Sequence, residues 1–220
     1  MVVRTAGAGP AGRRSTADRE GPGAAPAPRR GRPRGTSARQ LELISLRLFS
    51  ELGFEDTTVE RIAAEAGVSR RTFFRYFDSK ADVLWDAFDG EVRSLRAAFA
   101  AVPASIPLMD AIGQVVVGVN RYRAEDVPEL RTRMNLISSV PALQASAAHH
   151  YDAWERTVSD FAAARLGQGS DELIPIAIGR ATLAVCRAAY DSWADRADAD
   201  LTVYIDEALR ALATGFLRAD

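Results

Sequence analysis

Cysteine and histidine are nearly missing from this chain of 220 residues, which has one of the former and two of the latter. The single cysteine, Cys186, excludes a disulfide within the chain and a thiolate metal cluster. His149 and His150 are adjacent, so on a helix they point about 100° apart and do not form a paired ligand site. We therefore predict no metal site, no catalytic residues and no cofactor.

Long apolar runs are also missing. No run approaches the roughly 18 residues of a membrane span, and no segment resembles the apolar part of a signal peptide. We therefore expect a cytoplasmic protein with no membrane partner. No segment alternates apolar and polar residues as a strand does, whereas apolar residues recur at helical spacing from residue 38 onward. This pattern predicts an all-α fold of about nine helices.

The charge is unevenly distributed. Residues 1–35 carry a net charge of +6, whereas the whole chain carries −1. Because this segment is rich in Gly, Ala, Pro and Arg and has almost no aliphatic side chains, we predict a disordered basic tail. Its arginines next to the first helix either reach DNA phosphates or a minor groove, or are simply solvated. They are Arg29, Arg30, Arg32 and Arg34.

Three helices with their own start and stop signals follow the tail. Ser37 precedes an apolar helical run over 38–52, which Gly53 ends. The segment 57–84 then reads TTVERIAAEAGVSRRTFFRYFDSKADVL. Thr57 and Glu60 have capping-box spacing and open the second helix, Ser69 caps the third, and Ser79 opens a fourth. This layout is typical of a helix-turn-helix, at about 58–77, that lies in a DNA major groove.

The second helix of such a motif presents its first turns to base edges. An arginine there can bond guanine in a bidentate fork, and the methyl group of Thr72 can pack on a thymine methyl. The alternative is an ordinary helical hairpin with a solvated arginine face. The predicted contacts to double-stranded DNA are Thr58, Ser69, Arg70, Arg71, Thr72, Phe74, Arg75, Tyr76 and Lys80.

Residues 36–86 resemble the DNA-binding domain of TetR-family transcriptional regulators. The family signature is close to T-x-x-x-I-A-x-x-A-G-V-S-x-x-T-x-Y-x-Y-F-x-S-K, and this chain matches it from Thr58 to Lys80 except at Phe74, where the family usually has Tyr. Phe74 cannot donate a hydroxyl hydrogen bond to phosphate. The resemblance implies a homodimer that reads a two-fold operator, with residues 87–220 as a ligand-binding and dimerisation domain.

The resemblance extends to the mycofactocin-system regulators of that family. It rests on GVSRRTFFRYFDSKADVLWDAFD, PELRTRMNLISSVPALQASAAHHYDAWE and RAAYDSW, and it covers about 36–218. It implies a small hydrophobic effector, a long-chain acyl-CoA. Arg121, Arg123, Arg131 and Arg133 either bind the phosphates of such a ligand or form a solvated face.

Aromatic and methionine side chains recur along the middle helices, where they form either core or the wall of an apolar tunnel. The candidate ligand-binding residues are Phe88, Tyr122, Arg131, Met134, Tyr151 and Trp154. The last two helices have alanine-rich faces, and the resemblance implies that they form the dimer. The candidate interface residues are Ala181, Ala188, Trp193, Leu212 and Phe216.

The sequence therefore predicts a homodimeric repressor that a long-chain acyl-CoA releases from DNA. A regulator of drug efflux that senses hydrophobic or cationic compounds is the nearest alternative. It would prefer acidic groups inside its pocket, whereas an acyl-CoA sensor needs basic groups at the mouth. An acyl-binding enzyme or carrier would need a paired acid and base or a nucleophile, and the sequence shows neither.

Overall fold

The computed structural model describes residues 36–196 and 199–216, and within these ranges it is an all-helical protein without strands, as predicted. The basic tail and its four arginines lie outside the described residues. The helices found in the described ranges are α1 (Ala38–Leu52), α2 (Val59–Glu65), α3 (Arg70–Phe73), α4 (Asp82–Ala101), α5 (Leu108–Val119), α6 (Val127–Ser139), α7 (Pro141–Leu166), α8 (Leu173–Arg196) and α9 (Leu201–Ala213).

Side-chain caps fix where the first helices begin. The hydroxyl of Ser37 accepts from the Gln40 amide at 3.1 Å and starts α1, as predicted. The start of α2 differs from the prediction, because Thr58 and not Thr57 is its cap. Thr57 is buried, and its hydroxyl donates to the carbonyl oxygens of Leu48 and Gly53. The capping box predicted for Thr57 and Glu60 is therefore wrong, since Thr57 holds the loop after α1.

The fourth helix begins later than the sequence suggested. α4 starts at Asp82, whose amide donates to the hydroxyl of Ser79 at 3.3 Å, so Ser79 ends a turn and does not open the helix directly. α3 is a short helix that continues into a turn, in which the Phe77 amide still donates to the carbonyl of Phe73 at 3.1 Å.

The first four helices form a small N-terminal unit, called the head below, around a shared apolar core. Leu41 and Phe49 of α1 meet Ile62 of α2 and Phe73 of α3, and all four are almost completely buried. Leu143 of α7 is buried in the same core. The head therefore rests on the C-terminal helices through apolar contacts as well as through the chain.

The larger core lies among α4, α5, α7, α8 and α9. α7 and α8 pack closely, because Gly179 brings the backbone of α8 against that of α7. A Cβ atom at this position would lie 2.6 Å from the carbonyl oxygen of Glu155. Only glycine permits this approach, since a Cβ is normally no closer than van der Waals contact.

The α8 helix is long and rich in apolar residues. Among the described residues it alone is long and apolar enough to cross a membrane by length and composition, with a mean hydropathy of 1.3. It contains no uninterrupted apolar run of that length, so the expectation about apolar runs is not contradicted. It carries Arg180 and Arg187, and it packs between α7 and α9, which is the arrangement of a core helix.

Candidate DNA interface and ligand cavity

The start of α3 presents two arginines to solvent. Ser69 caps the helix by accepting from the Thr72 amide at 3.1 Å, and the two hydroxyl oxygens lie 2.9 Å apart. Arg70 pairs with Glu60 of α2 at 3.2 Å. Arg71 is exposed, and no ion pair of its side chain occurs within the described part of the chain. Arg71 is therefore the side chain of this turn that is most available to a base edge.

Aromatic residues mark the end of α3 and the turn that follows it. Phe73, the last residue of α3, is buried, and Phe74 stands edge-on to it with 40 % of its surface exposed. The hydroxyl of Tyr76 donates to the carbonyl of Thr36 at 2.7 Å, and the guanidinium of Arg75 donates to that hydroxyl at 3.2 Å. Tyr76 therefore ties the start of the described chain to the head and keeps Arg75 at its surface.

Lys80 is engaged within the head. Its ammonium group donates to the carbonyl oxygens of Phe54, Glu55 and Thr57. It also lies over the ring of Phe54. The contact of Lys80 with phosphate stays a prediction, whereas its structural role is visible.

A cavity of about 650 Å³ lies among α4, α6, α7 and α8. This volume is within the usual range for small-molecule sites. Phe88, Met134, Tyr151 and Trp154 line it, as the sequence analysis proposed, and Trp85 is a further aromatic wall. Trp85 is almost completely buried and stacks on His150 with ring centres 4.5 Å apart.

The structure does not bring Arg131 to this cavity. Its guanidinium donates to the carbonyl of Ala194 at 2.5 Å and lies over the ring of Trp193. The ligand-binding role predicted for Arg131 is therefore corrected, because this side chain ties α6 to the end of α8. Arg121 and Arg123 do not line the cavity either, whereas Arg133 does.

A buried polar cluster forms one side of the cavity. The hydroxyl of Tyr122 donates to the carboxylate of Glu91, and it lies 3.3 Å from that of Tyr190. Tyr190 in turn donates to the side-chain oxygen of Asn120. Burial raises the pKa of Glu91 to about 7, although the Tyr122 hydrogen bond and Arg133 act in the opposite direction. Tyr122 does not line the cavity, so its predicted ligand-binding role is corrected: its side chain positions Glu91, a cavity residue that the sequence analysis missed.

The charged residues around the cavity are mostly acidic. Glu91, Asp152, Glu155 and Asp191 line it, against Arg133 and Arg187. Arg187 is exposed and lies over the ring of Tyr151. Burial raises the pKa of Glu155, and the nearby Arg180 only partly offsets this. The basic mouth expected for an acyl-CoA site is not formed by the four arginines proposed for it.

Arg133 joins the cavity to the head. Its side chain is 8 % exposed, and it donates to Glu42 of α1 and, at 2.9 Å, to Glu129 of α6. Arg39 of α1 pairs with the same two carboxylates. Among the described residues, the Nε of Arg133 is the one buried side-chain polar atom without a hydrogen-bond partner.

The residues proposed for the dimer interface divide into two groups. Ala188 and Phe216 are exposed, and Ala181 and Leu212 are half-buried, so these four can meet a second protomer. Trp193 is 2 % exposed, and its indole donates to the carbonyl of Ala199 at 3.2 Å inside the protomer. The interface role predicted for Trp193 is therefore corrected, because its side chain belongs to the core.

Cys186 and His150 show no catalytic arrangement. Burial raises the pKa of the Cys186 thiol to about 12, so it is a packed side chain and not a nucleophile. The Nδ1 atom of His150 lies 2.9 Å from the Asp89 carboxylate and its ring covers Trp85. Within residues 36–196 and 199–216, no cluster of His, Cys, Asp and Glu has a geometry that could hold a metal ion.

Solved structures show the same fold at low identity. FadR of Thermus thermophilus, a TetR-family repressor in complex with lauroyl-CoA, is 22 % identical and superposes with a TM-score of 0.54, covering 84 % of this chain and 97 % of that one. The complex of SmeT from Stenotrophomonas maltophilia with triclosan is 20 % identical with a TM-score of 0.57, covering 79 % and 90 %.

Sequence comparison identifies both parts of the chain. Residues 45–86 match the family described as bacterial regulatory proteins, tetR family, and residues 106–217 match the MftR C-terminal domain. The protein named MftR in Mycobacterium tuberculosis, for mycofactocin biosynthesis transcriptional regulator, is 30 % identical over 86 % of this chain and 95 % of its own length. Its name is that of a regulator and not of an enzyme. The chain therefore belongs to the TetR family of DNA-binding transcriptional regulators and carries a C-terminal domain of the MftR type.

Proposed function

We propose that this chain is a homodimeric, cytoplasmic repressor whose affinity for its operator falls when a small hydrophobic molecule fills the cavity. One observation carries the proposal: the cavity is bounded by α4 and α6, and these two helices also contact α1 of the head. A molecule between α6 and α8 can therefore shift the head. The bound molecule lowers DNA affinity only to the extent that it binds more tightly to the conformation of the protein that does not bind DNA.

A long-chain acyl group is the first candidate for the effector. The apolar wall of Trp85, Phe88, Met134 and Trp154 suits an alkyl chain. The similarity to the lauroyl-CoA complex of FadR and to the MftR C-terminal domain supports the same choice. Because the expected basic mouth is not formed by the arginines proposed for it, an acyl chain with a smaller polar head fits as well as an acyl-CoA.

A hydrophobic or cationic compound is a second candidate, and the acidic lining supports it. Glu91, Asp152, Glu155 and Asp191 repel an anionic head group more than a neutral or cationic one. SmeT, which shares the fold, binds triclosan. The charge of the bound molecule therefore separates the two candidates.

We propose that dimerisation uses the exposed side of α8 and α9. Ile174, Ala177, Ala184 and Ala188 lie at helical spacing on the exposed side of α8. Small residues allow close approach of helices, and a two-fold dimer places two heads on an operator whose half-sites lie about one turn of DNA apart.

Native mass spectrometry of the purified protein tests the proposal directly. We expect the mass of a dimer, together with a co-purifying molecule that mild activation releases and whose mass identifies its class. Operator fragments are then selected from genomic DNA with the ligand-free protein, and their affinity is measured by anisotropy with lauroyl-CoA or triclosan added. If the protein binds no specific fragment, or if no co-purified or added molecule changes the affinity, the proposed function is wrong.

A further inference from the structure

Arg133 occupies a place that packing alone does not explain. It lines the cavity, yet its guanidinium is buried and reaches Glu42 of the head. Buried polar groups are almost always hydrogen-bonded, and a charged group left partly unpaired is costly. Among the buried side-chain nitrogen and oxygen atoms of the described residues, the Nε of Arg133 is the one that has no hydrogen-bond partner.

In this structure, a molecule in the cavity cannot reach the Nε–H of Arg133. The atom has essentially no accessible surface, so an acceptor in the cavity can bond to it only if the guanidinium turns. Nη2, which lies on the same edge of this planar group as the Nε–H, donates to Glu42. Because the guanidinium is rigid, a turn that brings the Nε–H to the cavity also moves Nη2 and draws it away from Glu42.

We propose that Arg133 is the effector-sensing cation of this regulator: an acceptor oxygen at the head of a bound acyl chain takes its Nε–H and thereby loosens its link to Glu42 of α1. The inference rests on the proposed function and deepens it. The ligand class is an acyl compound with a carboxylate or thioester carbonyl oxygen. An acceptor here supplies the missing partner of a buried cation, which a protonated amine or a quaternary ammonium cannot do.

Release of Glu42 acts on the head through α1. Glu42 is 5 % exposed, and Arg39 is its other cationic partner. Arg39 also pairs with Glu129, so the two arginines and two carboxylates form a closed cluster between α1 and α6. When one member leaves, Glu42 keeps only the half-exposed Arg39, and α1 is held less firmly against α6.

The test uses probes of one chain length and opposite head charge, sodium dodecanoate and dodecyltrimethylammonium, below their micelle concentrations. Binding is read from tryptophan fluorescence, since Trp85 and Trp154 line the cavity. Lauroyl-CoA, a third probe with the same acyl chain, offers a thioester carbonyl oxygen where dodecanoate offers a carboxylate. Comparing the two shows which of these oxygens Arg133 recognises. Operator affinity is measured by anisotropy with and without each probe, on the full chain.

Arg133→Lys keeps the charge beside Glu42 but removes the fork, and thermal unfolding checks that it folds. We expect its affinity for the acyl probe to fall about tenfold or more, a typical effect of losing a charged hydrogen bond. Binding of dodecyltrimethylammonium should not weaken. Arg93→Lys, at an exposed position of α4 outside the cavity, is the matched control and should bind both probes as the wild type does.

Glu42→Gln separates sensing from transmission. We expect it to bind the acyl probe at least as tightly as the wild type, because the link that binding loosens is already weakened, while operator affinity no longer responds to the probe. The inference is overturned if Arg133→Lys binds and responds like the wild type, or if Glu42→Gln keeps the full response. It is also overturned if only triclosan or the ammonium probe releases wild-type protein from DNA, a result that would leave the proposed function intact.

Discussion

The ammonium group of Lys80 donates to the carbonyl oxygen of Phe54 at 2.6 Å and lies 4.3 Å from the centre of that residue's ring. Further bonds reach the carbonyls of Glu55 at 3.2 Å and Thr57 at 3.1 Å. An ammonium group has three donors, so all of them are used inside the head. The lysine thus joins the loop after α1 to the turn before α4.

Lys80→Met should destabilise the protein without DNA present. It leaves three carbonyl groups without their donor, and we expect a loss of about 1–3 kcal/mol in the free energy of unfolding. Urea denaturation followed by circular dichroism measures this. Arg61→Met, at an exposed position of α2, is the control. If Lys80→Met unfolds like the wild type and only DNA binding suffers, the lysine acts as a phosphate contact instead.

Arg71→Ala should weaken operator binding far more than binding to random DNA. The side chain is exposed at the start of α3 and is available for a bidentate contact with guanine. Losing such a contact costs about 1–3 kcal/mol, or roughly 5- to 150-fold in affinity. Anisotropy with both DNAs measures it. Arg47→Ala on α1, whose arginine pairs with Glu51 and Glu65, is the control. Equal losses on both DNAs would remove the base-reading role.

Removal of residues 1–35 should reduce the salt dependence of operator binding. The segment has eight arginines against Asp18 and Glu20, and its structure lies outside the described residues. Each phosphate that an arginine neutralises contributes about −0.9 to the slope of log affinity against log salt. We expect the same reduction when Arg29, Arg30, Arg32 and Arg34 are changed to Gln in the full chain. An unchanged slope would make the tail irrelevant to DNA binding.

Local signals were sufficient to predict some helix boundaries. Helix α1 begins after Ser37 and ends before Gly53, and Ser69 caps α3, as these residues indicated. These signals act within one helical turn, so they are visible in the sequence. The sequence did not show whether Thr57 or Thr58 caps α2. The hydroxyl of Thr57 donates to the carbonyl of Leu48, which lies nine residues away in α1.

The charged residues of the cavity could not be predicted in the same way. Aromatic side chains such as Phe88 and Trp154 were found because apolar bulk at helical spacing points inward. Arg131 and Arg133 are two residues apart on α6 and face different surroundings. The position of the Arg133 side chain depends on its hydrogen bond to Glu42, 91 residues earlier in the chain. Sequence spacing gives no information on such a pair.

Gly179→Ala should destabilise the protein by about 1–3 kcal/mol, because the added methyl group overpacks a close helix contact. The Cβ would stand 2.6 Å from the carbonyl oxygen of Glu155 and 2.3 Å from the hydroxyl oxygen of Ser159. The hydroxyl can rotate away, but the backbone of α7 cannot. Thermal and urea unfolding measure the loss.

Gly113→Ala on α5 is the matched control for this substitution. Nothing lies within 4 Å of the Cβ that it adds, and alanine favours helix over glycine by about 1 kcal/mol. We therefore expect it to be neutral or stabilising. If both variants lose stability equally, the effect does not come from the contact between α7 and α8.

Glu91→Gln should remove a pH-dependent part of the stability. Burial raises the pKa of Glu91 from 4.5 to about 7 in the folded protein. Below pH 4.5 both the folded and the unfolded state are protonated at this group. As the pH rises from 4.5 to about 7, the unfolded state ionises first, so the folded state loses stability; above about pH 7 the loss is complete. The shift corresponds to ~3 kcal/mol as an upper value.

Urea unfolding between pH 4.5 and 8 measures this loss. The wild type should lose stability relative to Glu91→Gln over this range, while Glu207→Gln, at an exposed position of α9, should follow the wild-type curve. Parallel curves for the wild type and Glu91→Gln would mean that the carboxylate is already ionised across this range, and that Arg133 and Tyr122 outweigh its burial.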